Sequence, residues 1–312
     1  MSRPPFELHG FIGQRQKIEP LIREVRGAKA CGQPACHTAI SGPSGTGKST
    51  LARALATEYG TRLLKLSGEV MRPKLLAELR NVHHGDFLFI DEAQSLAVAL
   101  QELLFRVIDR ETIELDDGSE PLLVPPFTLV LATDQPGCLK NALRKRIPTM
   151  VHLNPYTDAE MKMIVERVAA KEKIRVTAQG ESLLARTCHG LPRIAEHRVR
   201  KLHYHFPVAQ QEPLTTEQVQ KFLHAFDIDE CGLGEHERKY LEFLFRERSA
   251  SLETLAAILT VDAAYVSRQV EHALHHRGLI AIAQSGRQLT QAGREWARDH
   301  QAIQTLDEET PR

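Results

Sequence analysis

Gly42-Pro-Ser-Gly-Thr-Gly-Lys-Ser49 is the stretch on which the reading of this chain turns. Its spacing is G-x-x-x-x-G-K-[ST], and it stands between an apolar run over 38–41 and a helical pattern opening at Thr50-Leu-Ala-Arg53. Glycines let such a loop turn its backbone N–H groups inward onto phosphate oxygens, and the helix N-terminus adds the positive end of its dipole. Gly42, Gly45, Thr46 and Gly47 form the cradle, with Thr50 opening the helix behind it. Lys48 reaches the β- and γ-phosphates, and Ser49 offers a hydroxyl to Mg2+. ATP with magnesium is the implied ligand; an ordinary glycine turn is the alternative.

Working outward, Phe87-Leu-Phe-Ile-Asp91-Glu92 is an apolar strand ending in two carboxylates, the complement a phosphate loop requires. Asp91 is placed to hold the metal through water, and Glu92 to polarise the water that attacks the γ-phosphate. Taken alone, the pair would equally well be an acidic cap on the helical start that follows.

Around these motifs, strand-like runs over 38–41, 62–66, 87–90, 127–132 and 149–153 alternate with helical patterns over 14–30, after 48, and over 95–109. The alternation predicts an α/β domain with a parallel sheet and crossover helices. From 156 only helical periodicity continues, over 158–171, 179–188, 192–206 and 215–226, which predicts an all-helical domain. Helices over 235–248, 252–259 and 262–276, a hairpin turning at Gln284-Ser-Gly286 and a last helix from 290 predict a winged helix. In its third helix Val266, Val270 and Leu274 should face inward, leaving Arg268, Glu271, His272 and His275 outward. The expected division is 1–155, 156–230 and 231–300, with a disordered tail over 301–312.

The chain has 312 residues, 42% hydrophobic and 26% charged, which excludes a disordered or collagen-like protein and allows several domains. No apolar stretch approaches the roughly 18 residues of a membrane span, and the N-terminus lacks a signal-peptide core. Five cysteines at irregular spacing fit a reducing cytoplasm. Cys31, Cys36 and His37 lack a second ligand pair at zinc spacing. Because 40 Lys+Arg balance 40 Asp+Glu, any nucleic-acid binding must come from local patches.

With both phosphate motifs in place, the chain resembles the RuvB-type AAA+ ATPases, the hexameric motors of Holliday-junction branch migration. The resemblance rests on Phe11-Ile-Gly-Gln14, Gly42–Leu51, Gly85–Glu92, Pro125-Pro-Phe-Thr128, Ala132-Thr133, Leu143-Arg-Lys-Arg146 and Gly190-Leu-Pro-Arg-Ile-Ala195. Gly232-Leu-Gly234 and Gly286-Arg287 extend it into the C-terminal domain. It implies a P-loop AAA+ nucleotide domain, an all-helical lid and a C-terminal winged helix, assembled as a homo-oligomeric ring on duplex or four-way-junction DNA. Arg193 takes the place of the sensor-2 arginine, and Arg146 that of the arginine finger entering a neighbour's site. Arg144 is a further nucleotide contact; Phe11, Ile12 and Tyr156 form the adenine pocket; Arg287 and Arg268 face DNA. On composition alone, Arg144-Lys-Arg146 reads equally as a solvated basic turn, Arg193 as a lid ion pair, and Phe11, Ile12 and Tyr156 as core.

The chain departs from that family in several places. Thr133-Asp134 stands where two threonines are usual, so the sensor-1 position carries a carboxylate that accepts from water but cannot donate to the γ-phosphate. Ile108-Asp109-Arg110 replaces an acidic-rich segment, weakening that nucleotide contact. The hairpin expected over 112–124, with Asp116-Asp-Gly-Ser119 at its tip, is short, which puts a RuvA-type partner in doubt. Glu247-Arg-Ser-Ala-Ser251 replaces a Gly-Gly-Pro loop, and the wing shrinks to Gln284-Ser-Gly-Arg287. A nucleotide-driven protein remodeller whose winged helix binds a protein is therefore the rival expectation.

Overall fold

The computed structural model describes residues 7–110, 112–114, 120–207 and 212–308, which form two compact units, Met1–Tyr156 and Thr157–Arg312. The first unit opens with a small hairpin of β1 (Glu7–Leu8) and β2 (Phe11–Ile12), followed by α1 (Arg15–Ala30), β3 (Thr38–Ser41) and α2 (Lys48–Tyr59). Next come β4 (Leu63–Ser67), α3 (Arg72–Arg80), β5 (Phe87–Asp91) and α4 (Val98–Ile108). β6 (Thr128–Thr133), α5 (Asn141–Arg144) and β7 (Thr149–His152) complete it. The five long strands form the expected parallel sheet, in the order β4-β5-β6-β3-β7. The sequence reading missed the β1–β2 hairpin, the short α5, and α3, which has Pro73 in its first turn and buries Leu75 and Leu79 one turn apart.

Sheet register determines where the chemistry sits. Ser41 pairs with Thr133 and His152, and Ser67 with Asp91, so all five strand ends reach the same C-terminal edge. Strand β3, buried throughout and flanked by β6 and β7, delivers its phosphate loop to the point where strand order reverses, the crevice in which open α/β sheets bind ligands. Ile90, Leu88, Leu129 and Leu131 fill the core below. Ile113 and Leu122 form an antiparallel bridge at the base of the expected hairpin, whose tip at Asp116–Ser119 lies outside the described residues.

The second unit begins with α6 (Asp158–Lys171), α7 (Ala178–Thr187), α8 (Pro192–His205) and α9 (Thr216–Ala225). Thr157 and Thr215 each close a capping box, which fixes where α6 and α9 start. It continues with α10 (Glu235–Glu247), α11 (Leu252–Leu259), α12 (Ala263–Tyr265), a π-helical turn Val266–Val270, and α13 (Glu271–His276). The wing is β8 (Ile280–Ala283) and β9 (Gly286–Leu289), and α14 (Gln291–Glu308) follows. Helical backbone thus runs beyond 301, where the sequence suggested a disordered tail.

The four-helix and winged-helix parts share a polar seam. The half-buried Arg198 guanidinium donates to the carbonyls of Thr187 and Gly232. Arg277 donates across the same seam to the carbonyls of Arg186 and Cys231. His189 Nε2 lies 3.0 Å from the Gly232 oxygen. Gly232 has φ +87, and a Cβ there would lie 2.4 Å from the Thr187 oxygen, so only glycine fits.

Candidate nucleotide-binding site

The loop Gly42–Gly47 bends through three left-handed glycines, at φ +138, +84 and +94 for Gly42, Gly45 and Gly47. A Cβ on Gly42 would lie 2.4 Å from the Leu153 oxygen, so glycine is required for the loop to pass beneath β7. Thr46 is fully buried, and Lys48 is 6% exposed with its ammonium donating to the oxygens of Gly42 (2.8 Å) and Pro43 (3.2 Å). Phe11, Ile12 and Tyr156 are buried, with the two rings 6.4 Å apart, and the Phe11 ring and the Tyr156 hydroxyl each lie 3.5 Å from the position a Gly47 Cβ would take. Tyr156 Oη donates to the Thr46 oxygen at 3.1 Å, tying this apolar wall to the loop. Thr50 is exposed on the first turn of α2.

Ser49 Oγ donates to Asp91 Oδ2 at 2.9 Å, and Lys65 Nζ lies 3.3 Å from the same oxygen. A hydroxyl and a carboxylate converging beside a phosphate cradle are the oxygen donors that Mg2+ accepts. The residues present therefore fit the metal implied by the loop. Glu92 is exposed and holds a left-handed backbone, φ 51. A Cβ on Gly68 would lie 2.0 Å from the Glu92 oxygen, so Gly68 permits the close approach that shapes this turn.

Gln94, absent from the sequence expectations, links two predicted groups: its amide nitrogen donates to Glu92 Oε2, and its Oε1 accepts from Thr133 Oγ1 at 2.7 Å. Thr133 is fully buried at the end of β6 and also accepts from the Gln135 N–H. Asp134 beside it has a buried Oδ1 with no hydrogen-bond partner among the described residues. Burial, and then the charges of Lys17 and Lys48, hold the His152 imidazole below its ordinary value; its Nδ1 lies 3.1 Å from Ser41 Oγ.

Arg146 lies at the other edge of the sheet. It borders a cavity of about 310 Å3 with Ala35, His37, Phe127 and Pro148, which immediately precede the N-terminal ends of β3, β6 and β7. Its Nε donates to both Asp109 oxygens at 2.7 Å, and its guanidinium covers the Phe105 ring at 4.8 Å. That hydrogen bond pulls the Asp109 carboxyl below its usual range. Asp109, read in the sequence as part of a weakened nucleotide contact, is thus the carboxylate that holds Arg146. Arg144 is exposed and bonds Asn141. Arg193 is exposed on the first turn of α8, in the second unit.

Two features of the winged helix differ from expectation. Glu271, expected on the outer face, is 2% exposed and accepts from Tyr240 Oη (2.9 Å) and Arg287 Nε (2.8 Å). A π-helical turn over Val266–Val270 places an extra residue immediately before it; Val266, Val270 and Leu274 stay buried as expected, and Glu271 with the half-buried His272 joins that inner face. Arg287 is thereby engaged in a buried ion pair that raises its pKa, whereas Arg268 remains exposed.

Family models divide the chain in the same sequence of parts. The Holliday junction DNA helicase RuvB P-loop domain matches 3–153, the RuvB AAA lid domain 156–229 and the RuvB C-terminal winged helix domain 230–297. The Holliday junction branch migration complex subunit RuvB of Thermotoga maritima is 33% identical over 298 residues, covering 92% of this chain and 89% of that protein. The corresponding subunit of Paramagnetospirillum magneticum is also 33% identical, over 94% of this chain and 88% of its own. A solved structure of the Thermotoga maritima RuvB branch migration motor superposes with a TM-score of 0.77 at 32% identity, covering 96% of this chain and 97% of that one. A P-loop domain, lid and winged helix matched in order over nearly the whole length leave one assignment, and the chain belongs to the RuvB family of AAA+ ATPases.

Proposed function

We propose that the chain is an ATP-hydrolysing DNA motor that drives Holliday-junction branch migration, or related translocation along duplex DNA, as a homo-oligomeric ring of six. The position of Arg146 carries this reading. It stands at the N-terminal edge of the sheet while the phosphate loop stands at the C-terminal edge, about one strand length or roughly 13 Å away. An arginine so placed is out of reach of its own loop and suits a finger supplied to a neighbouring copy.

Within one site, Lys48 and the loop N–H groups bind the phosphates, and Phe11, Ile12 and Tyr156 wall the base. Ser49, with Asp91 behind it, would hold Mg2+, which when bound would supply positive charge against the phosphate oxygens. Glu92 orients the attacking water and takes up its proton, with Gln94 and Thr133 fixing the carboxylate. Thr133 and Asp134 form the sensor-1 position. Arg193 acts from the lid on the same copy's γ-phosphate, and Arg144 adds a second contact beside Arg146. No helix among the described residues is long and apolar enough to cross a membrane, and we place the protein in the cytoplasm. A RuvA-type partner is not part of the proposal.

One observation favours the rival reading, a remodeller whose winged helix binds protein: Arg287, the cation expected on DNA, is tied to Glu271. Steady-state ATPase activity measured without DNA, with linear duplex, with single strands and with a four-way junction, each at two salt concentrations, separates the two. Salt-sensitive stimulation by duplex or junction supports the motor. Robust turnover indifferent to every DNA overturns it in favour of the remodeller.

A further inference from the structure

The winged-helix domain from 232 to 300 has nine Lys+Arg and nine Asp+Glu, a neutral sum that conceals a segregated pattern. Arg238, Lys239 and Arg287 are neutralised by Asp227, Glu235 and Glu271, and Arg277 is spent on backbone carbonyls of the seam. Of the basic side chains left over, Arg248, Arg294 and Arg298 line one cavity of about 460 Å3. It lies where the end of α10, strand β9 and the start of α14 meet, with Gln288 as a further polar group and Leu244 and Leu289 in its wall. No carboxylate lines it, all three arginines are exposed, and none makes an ion pair within the described residues.

We propose that this cavity is a phosphate-binding site that takes the sugar-phosphate backbone of duplex DNA, an inference that rests on the motor reading above. Guanidinium groups are planar forks matched to phosphate oxygens, and several converging on one concavity without a counter-charge fit a polyanion. Two of the three sit where local folding preference would not put an arginine. Arg248 ends α10 with φ +66, a left-handed backbone that glycine adopts without strain. Arg294 stands in the first turn of α14, which has no acidic residue although the helix dipole favours one there. The Arg294 Nη1 donates to the Leu289 oxygen at 2.8 Å, which aims the group along the cavity wall. The duplex accordingly tracks the face built by α10, β9 and α14, and Arg287 acts as a strut beneath the wing.

The test is binding of a fluorescent mixed-sequence duplex to the full chain as a function of salt, comparing R248Q/R298Q, R248K/R298K and R268Q with the unaltered protein. Arg294 is left in place because of its bond to Leu289. Each backbone phosphate released contributes about 0.9 to the slope of log affinity against log salt. R248Q/R298Q is expected to lower that slope by about two and weaken binding at least tenfold, with DNA-free ATPase unchanged; the lysine pair keeps the slope. R248G is expected to raise Tm while weakening DNA, opposite signs that a purely structural arginine would not give. An unaltered slope in R248Q/R298Q, while the unaltered chain binds duplex, overturns the site and leaves the motor reading standing. If only R268Q lowers the slope, the recognition helix is the contact and the site is likewise overturned. Failure of the unaltered chain to bind duplex overturns the motor reading itself.

Discussion

Thr133 gives its hydroxyl proton to Gln94 Oε1 across 2.7 Å, so the end of β6 is bonded to the turn that carries Glu92. Gln94 has no ionisable group, and its effect must come from holding the Glu92 carboxylate and the Thr133 hydroxyl in one geometry. Gln94→Ala is expected to lower kcat by about 10- to 100-fold, on the scale of general-base misplacement, with nucleotide affinity within about twofold. Steady-state kinetics beside a fluorescent-nucleotide titration would decide it; an equal loss in affinity would make Gln94 a binding group instead.

The two ends of the phosphate site should separate cleanly. Lys48→Ala removes the buried ammonium from the loop and is expected to abolish measurable nucleotide binding. Glu92→Gln keeps the loop intact, so it should bind ATP normally and retain it unhydrolysed. Normal turnover in that variant would assign the water-orienting role elsewhere.

Arg146→Ala should leave nucleotide binding by each copy unchanged and reduce kcat by about a thousandfold. Mixing it with Lys48→Ala should recover part of the activity, because a Lys48→Ala copy still lends its finger to a neighbour with an intact loop. No recovery in mixed oligomers, together with wild-type turnover in Arg146→Ala, would show that Arg146 serves only to bind Asp109.

Arg287→Ala leaves Glu271 buried beneath the wing with Tyr240 as its remaining side-chain partner among the described residues. Breaking a buried pair from one side costs about 3–5 kcal/mol, so thermal unfolding of the second unit should shift down markedly. Replacing both groups, as in Arg287→Leu with Glu271→Leu, should recover much of that loss. A fully stable Arg287→Ala would refute the strut.

Acid should destabilise the seam. Burial and the neighbouring Arg198 push His189 from its ordinary 6.5 down to about 3. Between these values the unfolded chain takes up a proton that the folded chain refuses, so stability falls as pH drops from about 6.5 toward 3. His189→Gln should flatten that part of the Tm profile; an unchanged slope would place the acid sensitivity in other histidines.

The phosphate loop and the strand ending at Asp91 were legible because their chemistry is contiguous in sequence, and strand alternation placed them on one sheet. What escaped reading depends on contacts between distant segments. Gln94 looks like any helix-start residue until β6 brings Thr133 beside it. The Arg146–Asp109 pair joins α4 to the turn before β7 and has no local signal. The helix carrying Glu271 was read with uniform 3.6-residue periodicity, whereas a π-turn stands just before that carboxylate, and its partners Tyr240 and Arg287 come from distant segments. Helix α3 did have a signal, in Pro73 followed by Leu75 and Leu79, and could have been found.

The seam held by Arg198, Arg277 and His189 bears on how the chain can be taken apart. Sequence models place a boundary at 229/230, as if lid and winged helix were separable beads. A cut there would leave Arg198 in one fragment without the Gly232 carbonyl it binds in the other. Either piece alone would lose these hydrogen bonds, and truncation at that boundary should yield fragments that unfold at lower temperature than the joined unit. What looks modular in the sequence is, in folding, a single piece.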